Sequence, residues 1–217
     1  MAQAKRRKAK RKAPAKDTRR QYPLLTPPPA LVAVVRLAET ILAHVVTTAP
    51  EIERQCWWRN TSIEIAADEL HVQARTVIGG MGLKAGPGEY DVMTFGNFDL
   101  EPQLPGLFHV WGEVTPPNAE PWLVDLTPPF WREHQELEPS GLPPIQWAPD
   151  LPSRIVVPRS MFPRRFHGMP AKAPPGWIWY GNETRDPLIA DRVLGQVEGQ
   201  LEAFRLLAGI HARREAA

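Results

Sequence analysis

A thiol, an imidazole and a carboxylate follow one another along this chain at Cys56, His109 and Asp125. Cys56 is the only cysteine among 217 residues. His109 lies in Leu-Phe-His-Val-Trp-Gly-Glu-Val (107–114), and Asp125 in Trp-Leu-Val-Asp-Leu-Thr (122–127). Acyl transfer through a thiol needs these three groups: a nucleophile, a base that later returns its proton as an acid, and a carboxylate that orients the base. The bland alternative is that a lone free cysteine serves as a small buried hydrophobe, the commoner use of that residue. One cysteine excludes an intramolecular disulfide framework and a Cys-rich zinc module.

For the imidazole and the carboxylate to cooperate, the two segments must pair. Pro116-Pro117-Asn118-Ala119 between them is turn chemistry. A hairpin centred near Pro117 sets His109 opposite Asp125, Trp111 opposite Leu123 and Glu113 opposite Pro121. Directly opposed side chains have Cβ atoms about 4.5–5.5 Å apart, within reach of a hydrogen bond between the two groups. A slip of one residue would send them to opposite faces. The carboxylate then fixes the tautomer through one ring nitrogen and leaves the other for the thiol.

Cys56 needs a helix. Thr48-x-x-Glu51 and Thr61-x-x-Glu64 both read as capping boxes, so a helix begins before Cys56, at it, or just after it. A start at Cys56 favours the thiolate and lets its own backbone N–H help hold an oxyanion. Gln55, Trp57 and Trp111 are the further oxyanion or substrate-binding candidates. For Trp111 and Trp122 the core is the stronger expectation, because large aromatic rings on short strands usually fill it.

The ordered blocks resemble the transglutaminase-like branch of the papain-like thiol enzymes. That family shows a Cys at a helix start, a Leu-Gly-Ile-Pro-Ala-Arg-x-Val-x-Gly segment, His-Ala-Trp-x-Glu-Val on a strand, and Trp-x-x-x-Asp-Pro-Thr on its neighbour. Here stand Cys56, then Leu70-His71-Val72-Gln73-Ala74-Arg75-Thr76-Val77-Ile78-Gly79, then His109-Val110-Trp111-Gly112-Glu113-Val114, then Trp122-Leu123-Val124-Asp125-Leu126-Thr127. Gly112 replaces a branched residue, Leu126 replaces Pro, and Trp57-Trp58 follow the cysteine directly. The resemblance covers residues 56–127 and implies Cys56 as nucleophile, His109 as general base and acid, and Asp125 as the orienting carboxylate. Arg75 is expected to form an ordinary structural ion pair.

The rest of the chain defines the scaffold. Val34, Leu37, Ala38, Ile41, Leu42 and Val45 recur at helical spacing, and Asp186-Pro187 is a good start for a last helix carrying Ile189, Val193, Val197, Leu201, Phe204 and Ala208. Of 25 prolines, 18 lie in residues 101–187, which predicts short strands joined by extended loops there. The strand candidates are Val72–Ile78, Leu107–Val114, Trp122–Leu126, Arg154–Val157 and Trp177–Tyr180. Pro139 to Pro175 reads as a meandering surface segment around one short strand. The fold class that follows is α+β, helices packed on a mainly antiparallel sheet; the resemblance makes it a papain-like or transglutaminase-like core. Gly79-Gly80-Met81-Gly82 and Gly86-Pro87-Gly88 match no phosphate-binding pattern and read as a mobile loop beside the site.

Net charge of +2 hides an asymmetry. Residues 1–20 hold ten Lys and Arg against Asp17, leaving 16 basic and 23 acidic residues in the remainder. The expectation is a disordered basic arm over 1–22 and a single transglutaminase-like catalytic domain over 23–217. Such an arm can bind nucleic acid or another polyanion through phosphate contacts. His44, His71, His134, His167 and His211 show no metal-ligand spacing, so neither a metal nor another cofactor is expected. No run of 18 apolar residues and no secretory leader is read, which makes the cytoplasm the default and a membrane partner unexpected.

Two function classes remain. One is a thiol enzyme acting on a peptide or protein amide, as a peptidase, a protein deamidase or a transglutaminase. Hydrolysis is the simpler expectation, because amine transfer also demands that water be excluded. The other is a non-catalytic protein of the same fold whose basic arm docks on a polyanion.

Overall fold

The computed structural model describes residues 25–48, 56–89, 91–95, 108–127, 153–162 and 173–181, with positions 202, 204–206, 208–209 and 213 near the C-terminus. The basic arm, Gln55, most of Pro139–Pro175 and the Asp186-Pro187 helix start lie outside the described residues. Helix α1 (Pro29–Thr48) opens on the last residue of a triple proline. Pro29 takes the first helical position, where a missing N–H removes no bond, and the Pro28 carbonyl accepts the first helical bond from the Val32 N–H at 3.1 Å. Of the residues at the predicted spacing, Val34, Ala38, Ile41, Leu42 and Val45 are buried and Leu37 is partly so, and Leu31 extends the stripe. By length and composition α1 is apolar enough to cross a membrane; here that stripe lies in the core.

Helix α2 is described over Cys56–Glu69, and residues 51–55 before it lie outside the described residues. It ends in a Schellman arrangement. His71 adopts a positive φ of 54°, its N–H bonds to Asp68 O at 3.0 Å, and the Val72 N–H reaches Ala67 O at 2.8 Å. This reversal turns the chain directly into strand β1 (Gln73–Lys84).

The sheet is antiparallel and runs β2 (Val92–Phe95), β1, β3 (His109–Thr115), β4 (Trp122–Asp125), β5 (Ile155–Pro158), with β6 (Ile178–Gly181) also paired to β1. The molecule is therefore α+β. Strand β1 carries two neighbourhoods. Its first half, through Gly79, pairs with β3, and its second half pairs with β2 and β6.

Two corrections follow. Gly79, Gly80, Met81 and Gly82 are not a loop but buried strand, continuous with the predicted Val72–Ile78 element. The physical reason is close packing. A Cβ on Gly79 would come 2.4 Å from the Trp111 ring and 2.9 Å from the Gly181 carbonyl oxygen, so a bare backbone is what lets Trp111 and β6 close over β1. Strand β2 was not anticipated at all. Only Gly86-Pro87-Gly88 remains in a turn, tied by the Asp91 carboxylate accepting the Gly88 N–H at 2.6 Å.

Alternation divides the core. Val110, Val114, Trp122, Val124 and Leu126 face α1 and α2, where Phe204 and Ala208, both helical, also pack. Val77, Met81, Trp111, Leu123 and Tyr180 form a second cluster on the other face. Gly112 explains itself on the helix side: a Cβ there would lie 3.1 Å from both Asn60 Oδ1 and Ile63 Cγ2, so α2 sits almost on the β3 backbone.

Candidate active site

His109 opens β3 and Asp125 closes β4, each pointing to the face of the second cluster. Their ladder has Gly112 opposite Val124, Glu113 opposite Leu123 and Val114 opposite Trp122. The expected register, with His109 directly opposite Asp125, is therefore displaced by two residues. Asn118 supplies the reason: it takes φ 58°, with the Ala119 N–H bonded to Pro116 O at 3.2 Å, which centres the turn on Asn118 rather than Pro117. A two-residue shift preserves the face. His109 and Asp125 become diagonal neighbours, still within side-chain reach.

They meet. His109 Nε2 lies 2.7 Å from Asp125 Oδ2, and both side chains are almost fully buried. The same Oδ2 accepts the Tyr180 hydroxyl at 2.5 Å, while Oδ1 accepts the Thr127 N–H at 2.8 Å. With Nε2 committed to the carboxylate, Nδ1 is the nitrogen left for the thiol, and the Cys56 side chain is a hydrogen-bond partner of this imidazole. Cys56 is partly exposed and is the first described residue of α2.

Electrostatics make the pair ionic. Burial pushes the His109 pKa down, but the Asp125 carboxylate, by charge and hydrogen bond, together with Cys56, outweighs it and raises the pKa from 6.5 to about 10. Burial likewise opposes ionisation of Asp125. The His109 charge, and the bonds from His109, Tyr180 and Thr127, nevertheless hold its carboxyl below the usual 3.8. An imidazolium facing a carboxylate is thus the state at neutral pH.

Gln55 lies outside the described residues. Trp57 is buried, its ring edge-on to Phe108 at 5.7 Å, and its indole N–H has no hydrogen-bond partner among the described residues. Trp111 has no exposed surface. It packs edge-on to Tyr180 at 5.3 Å behind the imidazole, which places it in the core rather than along an open groove. Trp122 is also core. Arg75 pairs with Glu113 at 2.5 Å, and Arg159 holds the other oxygen of Glu113 at 2.7 Å, so the Glu of the His-Val-Trp-Gly-Glu-Val segment ties β1, β3 and the turn after β5 together. Among the described residues no cluster of His, Cys, Asp or Glu could hold a metal ion.

Two residues of this neighbourhood escaped sequence reasoning. Tyr180 was read only as a strand residue, although a buried phenol always needs a partner. Arg59, one turn into α2, is buried and donates to the Leu126 carbonyl at 3.0 Å, which braces the helix against the end of β4. It also lines a cavity of about 340 Å³ with Glu39, Leu42 and Ser153, on the α1 side. None of Cys56, His109 and Asp125 lines that cavity.

No known family model matches the chain, and neither does any curated protein. Among solved structures, a crystal structure described only as a genomics target aligns over 83% of this chain and 77% of that chain, at 15% identity and a TM-score of 0.43. A likeness that low carries no argument about this protein.

Proposed function

We propose that this chain is a thiol-dependent acyl-transfer enzyme acting on amide bonds, built on the transglutaminase-like plan, with Cys56 as nucleophile, His109 as acid and base, and Asp125 as the orienting carboxylate. The observation that carries this is one buried imidazole that contacts Asp125 through Nε2 and has the Cys56 side chain as a further hydrogen-bond partner. A core histidine satisfied by one carboxylate would not also need a thiol.

In the reaction the thiolate sulfur attacks the carbonyl carbon and the carbonyl π pair moves to oxygen. On this reading α2 begins at Cys56, and the Cys56 N–H at its positive end stabilises that oxyanion. As the C–N bond breaks, the His109 imidazolium gives its proton to the departing amine, leaving a thioester and a neutral imidazole. The imidazole then takes a proton from water as its oxygen attacks the thioester. The carboxylic acid leaves and the thiolate–imidazolium pair is restored. An amine in place of water gives a new amide, and hydrolysis is the outcome that asks less of the site. Burial of His109 and Asp125 strengthens each electrostatic step.

The test is thiol reactivity, which in a one-cysteine chain reports a single site. Iodoacetamide should alkylate Cys56 faster than a small free thiol at about pH 6 to 7, and His109→Ala should abolish the difference. Equal rates in all three would end the proposal. Mass spectrometry of acyl adducts on Cys56 after incubation with peptides and glutamine-containing proteins would then identify the substrate class.

The basic residues 1–20 support a second activity of the same chain, binding to a polyanion. Retention on a polyanion resin should fall when they are removed, and its salt dependence should flatten.

A further inference from the structure

The Asp125 carboxylate is held from three directions. His109 Nε2 comes from β3, the Tyr180 hydroxyl from β6 and the Thr127 N–H from just beyond β4. Tyr180 cannot drift, because its ring is fully buried and packed edge-on against Trp111 at 5.3 Å and Phe162 at 5.2 Å. It sits opposite Met81 on the half of β1 that Gly79 leaves open to close packing. A phenylalanine would fill that apolar space equally well. The hydroxyl is the part that packing does not require, and it shares an oxygen with the imidazole.

We infer that Tyr180 is a positioning residue of the triad: its hydroxyl fixes the rotation of the Asp125 carboxylate and weakens that carboxylate's hold on the His109 proton. This rests on the acyl-transfer reading. A neutral donor on Oδ2 stabilises the carboxylate most when the imidazole beside it is uncharged, since an imidazolium already supplies that stabilisation. The phenol therefore favours the neutral imidazole and eases proton delivery to a leaving amine. Cys56 from α2, Asp125 from β4 and Tyr180 from β6 are titratable groups that face this imidazole. Glu113, farther along β3, is already held by Arg75 and Arg159.

The experiment follows the alkylation rate of Cys56 against pH, together with the ring ¹⁵N resonances of His109, in the full chain. Tyr180→Phe should move the His109 titration, and the alkaline step it causes in alkylation, up by roughly 0.5 to 1 pH unit. In a Tyr22→Phe, Tyr90→Phe background, 3-fluorotyrosine at position 180 is a stronger donor of nearly the same volume and should move both down. A His109 titration that shifts by less than about 0.2 unit in both variants, or shifts the same way in both, removes the role of Tyr180 while leaving the triad standing. If Tyr180→Phe fails to fold, the fluorotyrosine shift decides. An alkylation profile that His109→Ala leaves unchanged removes the acyl-transfer reading, and the role of Tyr180 with it.

Discussion

His109 and Asp125 meet on the diagonal of the β3–β4 ladder, Nε2 to Oδ2 at 2.7 Å, rather than across a directly opposed pair. The diagonal leaves room for a third group. Tyr180 occupies it from β6, so the Asp125 carboxylate is anchored by strands that are far apart in sequence.

Asp125→Asn keeps the shape and removes the charge. The buried imidazolium loses its counter-ion, so the variant should lose about 3–5 kcal/mol of stability in urea unfolding. Alkylation of Cys56 near neutral pH should fall by at least about tenfold, because neutral His109 no longer supports the thiolate. Unchanged alkylation would show that the imidazole acts without the carboxylate.

The ion pair also sets a pH window for stability. His109 has its pKa raised from 6.5 to about 10, so its contribution is complete below 6.5 and is lost as pH rises through about 10. In that interval the native state holds a proton that the unfolded state lacks, and stability should fall with a slope approaching about 1.4 kcal/mol per pH unit. Asp125 acts on the acid side: its contribution is present above its ordinary 3.8 and is lost as pH falls through its lower folded value. Urea titrations across this range should show the alkaline slope in the native chain and its loss in Asp125→Asn.

Glu113 holds two arginines of unequal value. Arg159 is 13% exposed and Arg75 is 55% exposed. Arg75→Ala should therefore cost less than about 1 kcal/mol, since water screens that pair. Glu113→Ala should cost about 2–3 kcal/mol, most of it from leaving Arg159 without its carboxylate. Denaturant unfolding of both variants separates the two.

The glycines under the site differ in the same way. A Cβ on Gly112 meets Asn60 and Ile63 side-chain atoms at 3.1 Å, which can yield, so Gly112→Ala should cost about 1 kcal/mol. A Cβ on Gly79 meets the Trp111 ring at 2.4 Å and backbone at 2.9 Å. Gly79→Ala should cost about 3 kcal/mol or more and broaden the His109 resonances, since Trp111 backs the imidazole.

Local patterning was enough for a good part of this molecule. The stripe of α1 is visible because a helix repeats its buried face every three to four residues. The β3 and β4 segments, and the shared face of His109 and Asp125, are visible because strand parity survives any even shift in register. Parity does not reveal the shift itself. That depended on Asn118 entering the left-handed region, a choice of one residue inside a turn.

By itself, then, the sequence determined an α+β plan, a thiol near a helix start, and an imidazole and a carboxylate on one face of neighbouring strands. Tertiary structure alone decided three things. It set the diagonal register that joins His109 to Asp125, and it made strand of Gly79–Gly82 beneath Trp111 and β6. It also brought Tyr180 onto a carboxylate 55 positions earlier in the chain. Each is a close approach between segments distant in sequence, and local propensity carries no term for a neighbour that only the folded sheet supplies.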